Sequence, residues 1–459
     1  MTKTFHGAAG GHTVNITPPH PMPAYNGIVY SRGEGDSDLL CHAVVFTDGN
    51  DIGAIVSLDI TAISHANVLA IRELCELRTG IPAQNICIAA NHNHYAPHAA
   101  GMFLYGVKPD PLYVDFLITQ TVEAISEAKR KLRPARYVAG NARDPGFAFN
   151  RRLKRPDGTV VSIFAPNADP SFPATGPVDK EIGYVLFEDE DRKPISCFFS
   201  YAIHNISGAG GIGGIHHFHR DMGGRIGDVL RRELGVTDFA TSFLAGACGN
   251  VMEAERGVGR NGYLQDGGSY KKTDGSKDGI DIAWSIGEGV ADSILESYGK
   301  GFPQEIKDLR FASEVLEIPD RSLEESEFCE DNCRSSGQAY LDKARNRYGL
   351  EMIAIQDRGP TSCLVEISAI SMGDVAIATN PAELFVEYGL EIKEKSPFEI
   401  TMISELTNGY CGYVPTEAGF TEKGYETHRT VFTSRLAKNG GQIITDKSVE
   451  MLLRCKSKR

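Results

Sequence analysis

Short apolar, β-branched runs alternate with longer amphipathic stretches from one end of this chain to the other. The runs predict strands near Gly27–Arg32, His42–Thr47, Ile52–Ile60, Ile86–Ala90, Tyr137–Gly140, Val160–Phe164, Gly183–Glu188 and Pro194–His204. In the last third they predict strands near Phe311–Ile318, Cys363–Met372, Val375–Asn380 and Glu399–Glu405. Apolar residues at helical spacing predict helices over Ser64–Arg78, capped by Ser64, and over Leu112–Leu132 and Asp221–Leu234. Further helices are expected at Ile280–Ser297, Gly337–Tyr348 and Glu383–Lys395. Interleaving of this kind indicates an α/β architecture. No internal repeat or low-complexity linker divides the chain, so residues 1–459 read as one domain. The polar stretches Arg256–Lys277 and Asp320–Arg347 read as surface insertions within it, and the final LLRCKSKR as a basic tail without evident function.

Several predicted strands stop at residues with chemistry. Ile86–Ala90 runs into NHNHYAPH, where His92 and His94 are spaced two apart. Residues i and i+2 of a strand point to one side, so both rings would project together from the strand end. Neutral imidazole is a common zinc ligand; the plain alternative is a pair of surface histidines. Pro194–His204 is a second apolar run that ends in a histidine, His204. A metal site built at one sheet edge needs such a pairing of distant strand ends.

Two other segments carry candidates. In VAIATNPAELFVEYG a strand meets Asn-Pro and a helix begins with Glu383, either a rigidly placed oxygen ligand or a carboxylate that complements the helix dipole. NGYCGYVPTEAGFTEKGYE holds Tyr410, Tyr413 and Tyr425, which either line a polar pocket or pack a loop. IGGIHHFHRDMGG offers a rival cluster of His216, His217 and His219, ahead of Asp221 as a helix N-cap.

Composition narrows the partners. With 47 Lys and Arg against 60 Asp and Glu, the net charge of −13 repels phosphate backbones and argues against nucleic acid. No apolar run approaches the ~18 residues of a membrane span. The first residues lack the apolar core of a signal peptide, so a cytoplasmic protein is expected. All ten cysteines are read as reduced thiols, the CxxxC of Cys329 and Cys333 included. A small-molecule substrate fits this balance, with room for a homo-oligomer.

In order along the chain, several segments resemble motifs of the neutral/alkaline, non-lysosomal ceramidases. VNITPP resembles that family's DITGP-type opening, ANHNHYAPHAAG its THTHSGPGG, and FAFNRRL (Phe147–Leu153) its INRSP. GPVDKEIGYVLF resembles its VDKE segment, FSYAIHN its AVHGT strand end, and AGACGNVME its NAGDxSP. NPAE and GYVPT…GYE resemble its PAE and GYVTT…RYE. The resemblance covers nearly the whole chain and implies a catalytic domain of mixed β-sheets flanked by helices. It also implies zinc (Zn2+) bound by His92, His204, Glu383 and Tyr413, with Tyr410 the competing tyrosine. His94, Arg151 and Tyr425 would support the ligands from behind or orient substrate, and Asp221 would lie near the active site with His217 or His219 facing substrate.

The departures matter too. The family's NAGDxSP carries a serine assigned a catalytic role, and Met252 stands at that position here. The family's C-terminal β-sandwich and its export have no counterpart in these residues, so a lipid amide is a poor guess for the substrate.

The expected chemistry is metal-assisted hydrolysis of an amide-type C–N bond in a small polar metabolite, through zinc-activated water. His94 is the candidate acid–base group. Tyr413 or Tyr425 would stabilise an oxyanion, and Arg151 would anchor a carboxylate or hydroxyl, unless it is merely part of a surface salt bridge. The competing readings are a metal-dependent lactonase, a sugar or polyol isomerase or lyase, and a non-catalytic metal- or ligand-binding protein.

Overall fold

The computed structural model describes residues 7–24, 29–33, 38–101, 108–163, 169, 172–206, 217–253, 279–324 and 351–457. Three sheets form the frame. The first runs in the order Ile86–Ala90, Ile52–Leu58, Leu40–Thr47, Ala8–Asn15 and Arg133–Pro134. The second runs Ala240–Ala245, Pro194–Tyr201, Glu181–Glu188, Arg136–Arg143 and Gln304–Glu305. The third runs Arg310–Pro319, Ser362–Met372, Val375–Thr379 and Ile400–Ser404.

Each sheet is antiparallel except at one edge. There Ile52–Leu58 pairs in parallel with Ile86–Ala90, Pro194–Tyr201 with Ala240–Ala245, and Val375–Thr379 with Ile400–Ser404. A parallel pair needs a crossover connection. The helices His65–Thr79, Asp221–Leu234 and Val386–Lys395 lie in the three crossovers. Ligands of α/β proteins gather beyond the carboxyl ends of such strands, and three such edges supply three sets of loops.

The sheets meet through inner faces that are largely apolar. Phe46 stacks on Phe187 with centroids 5.6 Å apart, and Phe198 closes on both rings. Ile55, Leu244, Ile370, Ile377 and Met402 join the same buried cluster from all three sheets. Helices cover the outer faces. Val68 and Ile71 seal the first sheet, Ile226, Val229 and Val290 the second, and Ile392, Ile444 and Leu452 the third. Burial on both faces explains why most strands read as continuous apolar runs.

Most predicted elements are present with shifted ends. Ile86–Ala90 and Asp221–Leu234 have the expected bounds, and Ser64 caps its helix by accepting from the Asn67 amide at 3.2 Å. The run predicted as Pro194–His204 stops at Tyr201. Of Gly27–Arg32 the strand Val29–Tyr30 is seen, and of Val160–Phe164 the strand Val160–Ser162. Glu383 does not open a helix: it sits in the short strand Ala382–Leu384, and the helix starts at Val386. The basic tail is also corrected. Gly440–Lys456 is a helix that buries Met451, Leu452 and Cys455, while Arg454 and Lys456 stay on its outer side.

Ala8–Asn15 and Ala240–Ala245 are strands the periodicity did not predict. The helix predicted at Gly337–Tyr348, the stretch Arg256–Lys277, and Asp320–Arg347 beyond residue 324 lie outside the described residues, as do Cys329 and Cys333. The eight described cysteines are free and buried. No helix among the described residues is long and apolar enough to cross a membrane.

Candidate active site

The segment after Ile86–Ala90 turns sharply. His92 has φ 59, in the left-handed region that non-glycine residues rarely adopt. The two histidines therefore do not meet through strand pleating, because the strand has ended at Ala90. Hydrogen bonds impose the bend instead. Asn91 donates to Asp59 at 2.5 Å, the Thr61 hydroxyl donates to the Asn93 carbonyl at 2.9 Å, and the His94 amide donates to the Asn205 carbonyl at 3.3 Å. The last bond ties this segment to the one that carries His204.

Three imidazoles converge as a result. His92, His94 and His204 form the one group of three metal-ligating side chains among the described residues, with ligand atoms within 4.8 Å of one another. Nδ1 of His92 lies 3.1 Å from the Thr61 carbonyl, and Nδ1 of His204 lies 2.9 Å from the Val251 carbonyl. A carbonyl only accepts, so each Nδ1 carries the hydrogen and a neutral ring leaves Nε2 with a lone pair. Burial, reinforced by the Arg151 charge, lowers His204 to about 4, so this ring is neutral at neutral pH.

Glu383 faces the same point. Its Oε2 lies 3.3 Å from Nε2 of His92 and 3.7 Å from Nε2 of His204, and it has no hydrogen-bond partner although buried. Nε2 of His94 lies 3.2 Å from Nε2 of His92. Zinc bonds of ~2.0–2.1 Å in a tetrahedron separate neighbouring donors by about 3.3 Å. Electron-rich atoms packed at that spacing, one of them a buried carboxylate oxygen without a proton donor, suit a cation between them. The residues fit zinc.

Around this point stand the tyrosines and an arginine. Tyr410 donates its hydroxyl to Oε1 of Glu383 at 2.8 Å. Tyr413 is the register partner of Glu383 in the parallel pairing of Ala382–Leu384 with Gly412–Val414. The Arg151 guanidinium lies over the rings of Tyr413 and Tyr425, at 5.4 and 5.8 Å from their centroids. Arg151 is not a surface residue: it is 2% exposed and pairs with Glu426 at 2.8 Å. Its Nη2 donates to the Gly249 carbonyl at 2.8 Å, and its Nη1 lies 3.3 Å from Nε2 of His204. The guanidinium is thus engaged on several sides by the protein itself.

Glu426 escaped the sequence reading, although it ends the GYE motif. Its two oxygens take Arg151 and Arg152, each at 2.8 Å, in a wholly buried triad. Glu405 escaped as well. Its Oε2 accepts from the amides of Leu384 and Cys248, at 2.8 and 3.1 Å, and so fixes the strand that carries Glu383.

Other expected residues sit on the segment beside the cluster, where the His219 carbonyl accepts from Asn93 Nδ2 at 2.7 Å. Asp221 is the first residue of its helix, with φ 51, and Arg220 takes the preceding cap position. His219 accepts the Asp221 amide at Nδ1 and stacks on Tyr95 with centroids 4.0 Å apart, while burial lowers it to about 3. His217 lies 3.4 Å from the Ser31 hydroxyl, and His216 is outside the described residues. Met252 is fully buried and packs with Ile163, Phe149 and Ile206.

Comparison with known proteins places this architecture. No family model and no curated protein matches the sequence. Among solved structures, the frame of mixed sheets and flanking helices matches the α/β fold of ceramidases. The neutral ceramidase from Pseudomonas aeruginosa superposes with a TM-score of 0.72 at 16% identity, over 99% of this chain and 75% of that one. A ceramidase complexed with C2 gives a TM-score of 0.72 at 16% identity, over 98% and 76%.

Proposed function

We propose that this chain is a zinc-dependent hydrolase of an amide-type C–N bond in a small polar metabolite. The observation that carries the proposal is the meeting of His92, His204 and the unpartnered Oε2 of Glu383 with a more exposed imidazole, His94, beside them. His92, His204 and Glu383 would hold the metal, with Tyr413 on the same side. Bound zinc supplies Lewis acidity toward a carbonyl and lowers the pKa of water.

The chain's own residues do the rest. His94 is the half-buried member of the cluster, and burial with the neighbouring His92 ring keeps it neutral. It is thus a base at neutral pH, able to take a proton and pass it to the leaving nitrogen. Burial keeps the Tyr413 hydroxyl protonated, which makes it a donor for a developing oxyanion. Tyr425 packs edge-on against Tyr413, with centroids 5.7 Å apart, and would share that task. Arg151 holds both rings and His204 in place. A serine nucleophile has no place in this scheme, because Met252 is part of an apolar cluster.

The test is metal content. The wild-type protein should carry about one zinc per chain, and His92→Ala, His204→Ala and Glu383→Ala should each deplete it. Full zinc in all three variants would end the assignment. With metal confirmed, a screen against small amides should yield turnover, and a metal-loaded protein inert to all of them would favour a binding protein.

A further inference from the structure

Asn408 joins the two halves of the candidate metal site, with its side-chain oxygen and nitrogen both engaged by protein groups. It lies in the turn 405–411, between Ile400–Ser404 and Gly412–Val414, on the edge of the first sheet. The Asn408 amide donates to the Ile88 carbonyl at 2.8 Å, and its side-chain Oδ1 accepts from the Ile88 amide at 3.0 Å. The Ala90 amide donates to the Leu406 carbonyl at 3.1 Å. The turn thus completes the open edge of Ile86–Ala90, two residues before His92.

The other side of the same turn holds Glu383's segment. The amides of Leu406, Thr407 and Cys411 donate to the carbonyls of Ala382, Asn380 and Pro381. Leu406 and Asn408 adopt φ 52 and 63. Non-glycine residues persist in that region only when the surroundings over-determine them, and asparagine tolerates it better than most.

A buried network supplies the determination. Asn408 Nδ2 donates to Glu366 Oε1 at 3.1 Å, and Glu366 takes both ends of the Arg72 guanidinium at 2.8 Å. Arg72 Nε donates to the Ile86 carbonyl at 2.8 Å, and His65 Nδ1 lies 2.9 Å from the Asn408 carbonyl. Each group in this chain of bonds is held by another.

We propose that Asn408 is the positioning residue that fixes the His92–His94 segment against the Glu383–Tyr410 segment, and so sets the spacing of the metal donors. The proposal rests on the metal reading of that site. Residues that orient ligands from behind typically change metal affinity by ~10–100-fold when removed.

Asn408→Gly keeps the positive φ and removes only the side chain. Asn408→Asp keeps the acceptor for Ile88 but sets a carboxylate against Glu366. Tyr184→Phe, which removes the Tyr184–Ser297 hydroxyl bond at 3.0 Å, serves as a remote control. Two measurements separate positioning from general stability, both on full-length protein well below its melting temperature. One is hydrogen–deuterium exchange of the 86–95 peptide in metal-free protein; the other is zinc affinity by competition with a chelator.

Asn408→Gly and Asn408→Asp should each speed exchange in that peptide and weaken zinc by at least about tenfold, while Tyr184→Phe changes neither. Unchanged zinc affinity in a folded Asn408→Gly protein overturns the proposal, whatever the exchange shows. If wild type takes up no zinc, the metal reading fails, and the exchange data alone decide whether Asn408 pins the segment.

Discussion

Tyr410 gives its hydroxyl hydrogen to Oε1 of Glu383 at 2.8 Å, and that bond orients the carboxylate so that Oε2 faces His92 and His204. In the proposed metal site Tyr410 would support the carboxylate from behind and Tyr413 would stand on the metal side. Tyr410→Phe should weaken zinc by ~10-fold or more, as loss of an orienting partner does, yet leave a site that saturates. Tyr413→Phe should weaken it further. Competition titrations decide the order, and a larger effect at Tyr410 would exchange the two roles.

His94 separates a catalyst from a binding protein. His94→Ala should retain zinc while kcat falls by ~10²–10⁴-fold, the usual span of general acid–base catalysis. Tyr425→Phe should depress kcat more than it raises KM, as expected of a contact made chiefly at the transition state. Zinc content and steady-state kinetics on the screened amide check both. Loss of metal in His94→Ala would make His94 a ligand, which its 3.2 Å approach to His92 also permits geometrically.

Glu426 pairs with two buried guanidinium groups, and its removal takes that carboxylate from Arg151 and leaves Arg152 with Glu422 at 3.3 Å. Breaking a buried pair from one side typically costs ~3–5 kcal/mol. Glu426→Gln should therefore lower the stability by about that amount and reduce turnover as Arg151 releases Tyr413. Urea denaturation gives the first and kinetics the second. A change under about 1 kcal/mol, on the order of an exposed pair, would mean the triad is not buried in solution.

Asp59 predicts a pH dependence. It accepts from Leu40 and Asn91, and burial raises its carboxyl from 3.8 to about 6, against the opposing pull of Arg220. The folded state therefore favours the protonated acid. The stabilisation is complete below pH 3.8 and is lost as pH rises through about 6. At about 1.36 kcal/mol per unit this amounts to about 3 kcal/mol. Relative to wild type, Asp59→Asn should gain roughly that much between about pH 4 and pH 7 in urea unfolding. A difference that does not vary with pH would show that Asp59 titrates normally.

Much of this protein was legible in the sequence, for local reasons. Apolar runs and helical periodicity located the strands Ile86–Ala90 and Glu181–Glu188 and the helix Asp221–Leu234, because each element buries its own characteristic pattern. His92, His94 and His204 stood out because imidazoles at the ends of apolar runs are conspicuous. Other features had no local signal. Ala8–Asn15 is a strand because Leu40–Thr47 pairs with it, and LLRCK is helical because Ser362–Met372 offers it an apolar face.

The site was decided at the same level. His92 and His94 meet through a left-handed turn held by Asp59, Thr61 and Asn205, where a regular strand would have aimed them by its pleat. Glu426, Glu405 and Asn408 look like ordinary polar residues until folding brings buried arginines and unpaired amides against them. Their roles depend on partners remote in sequence and on removal from water, and only the tertiary structure supplies both.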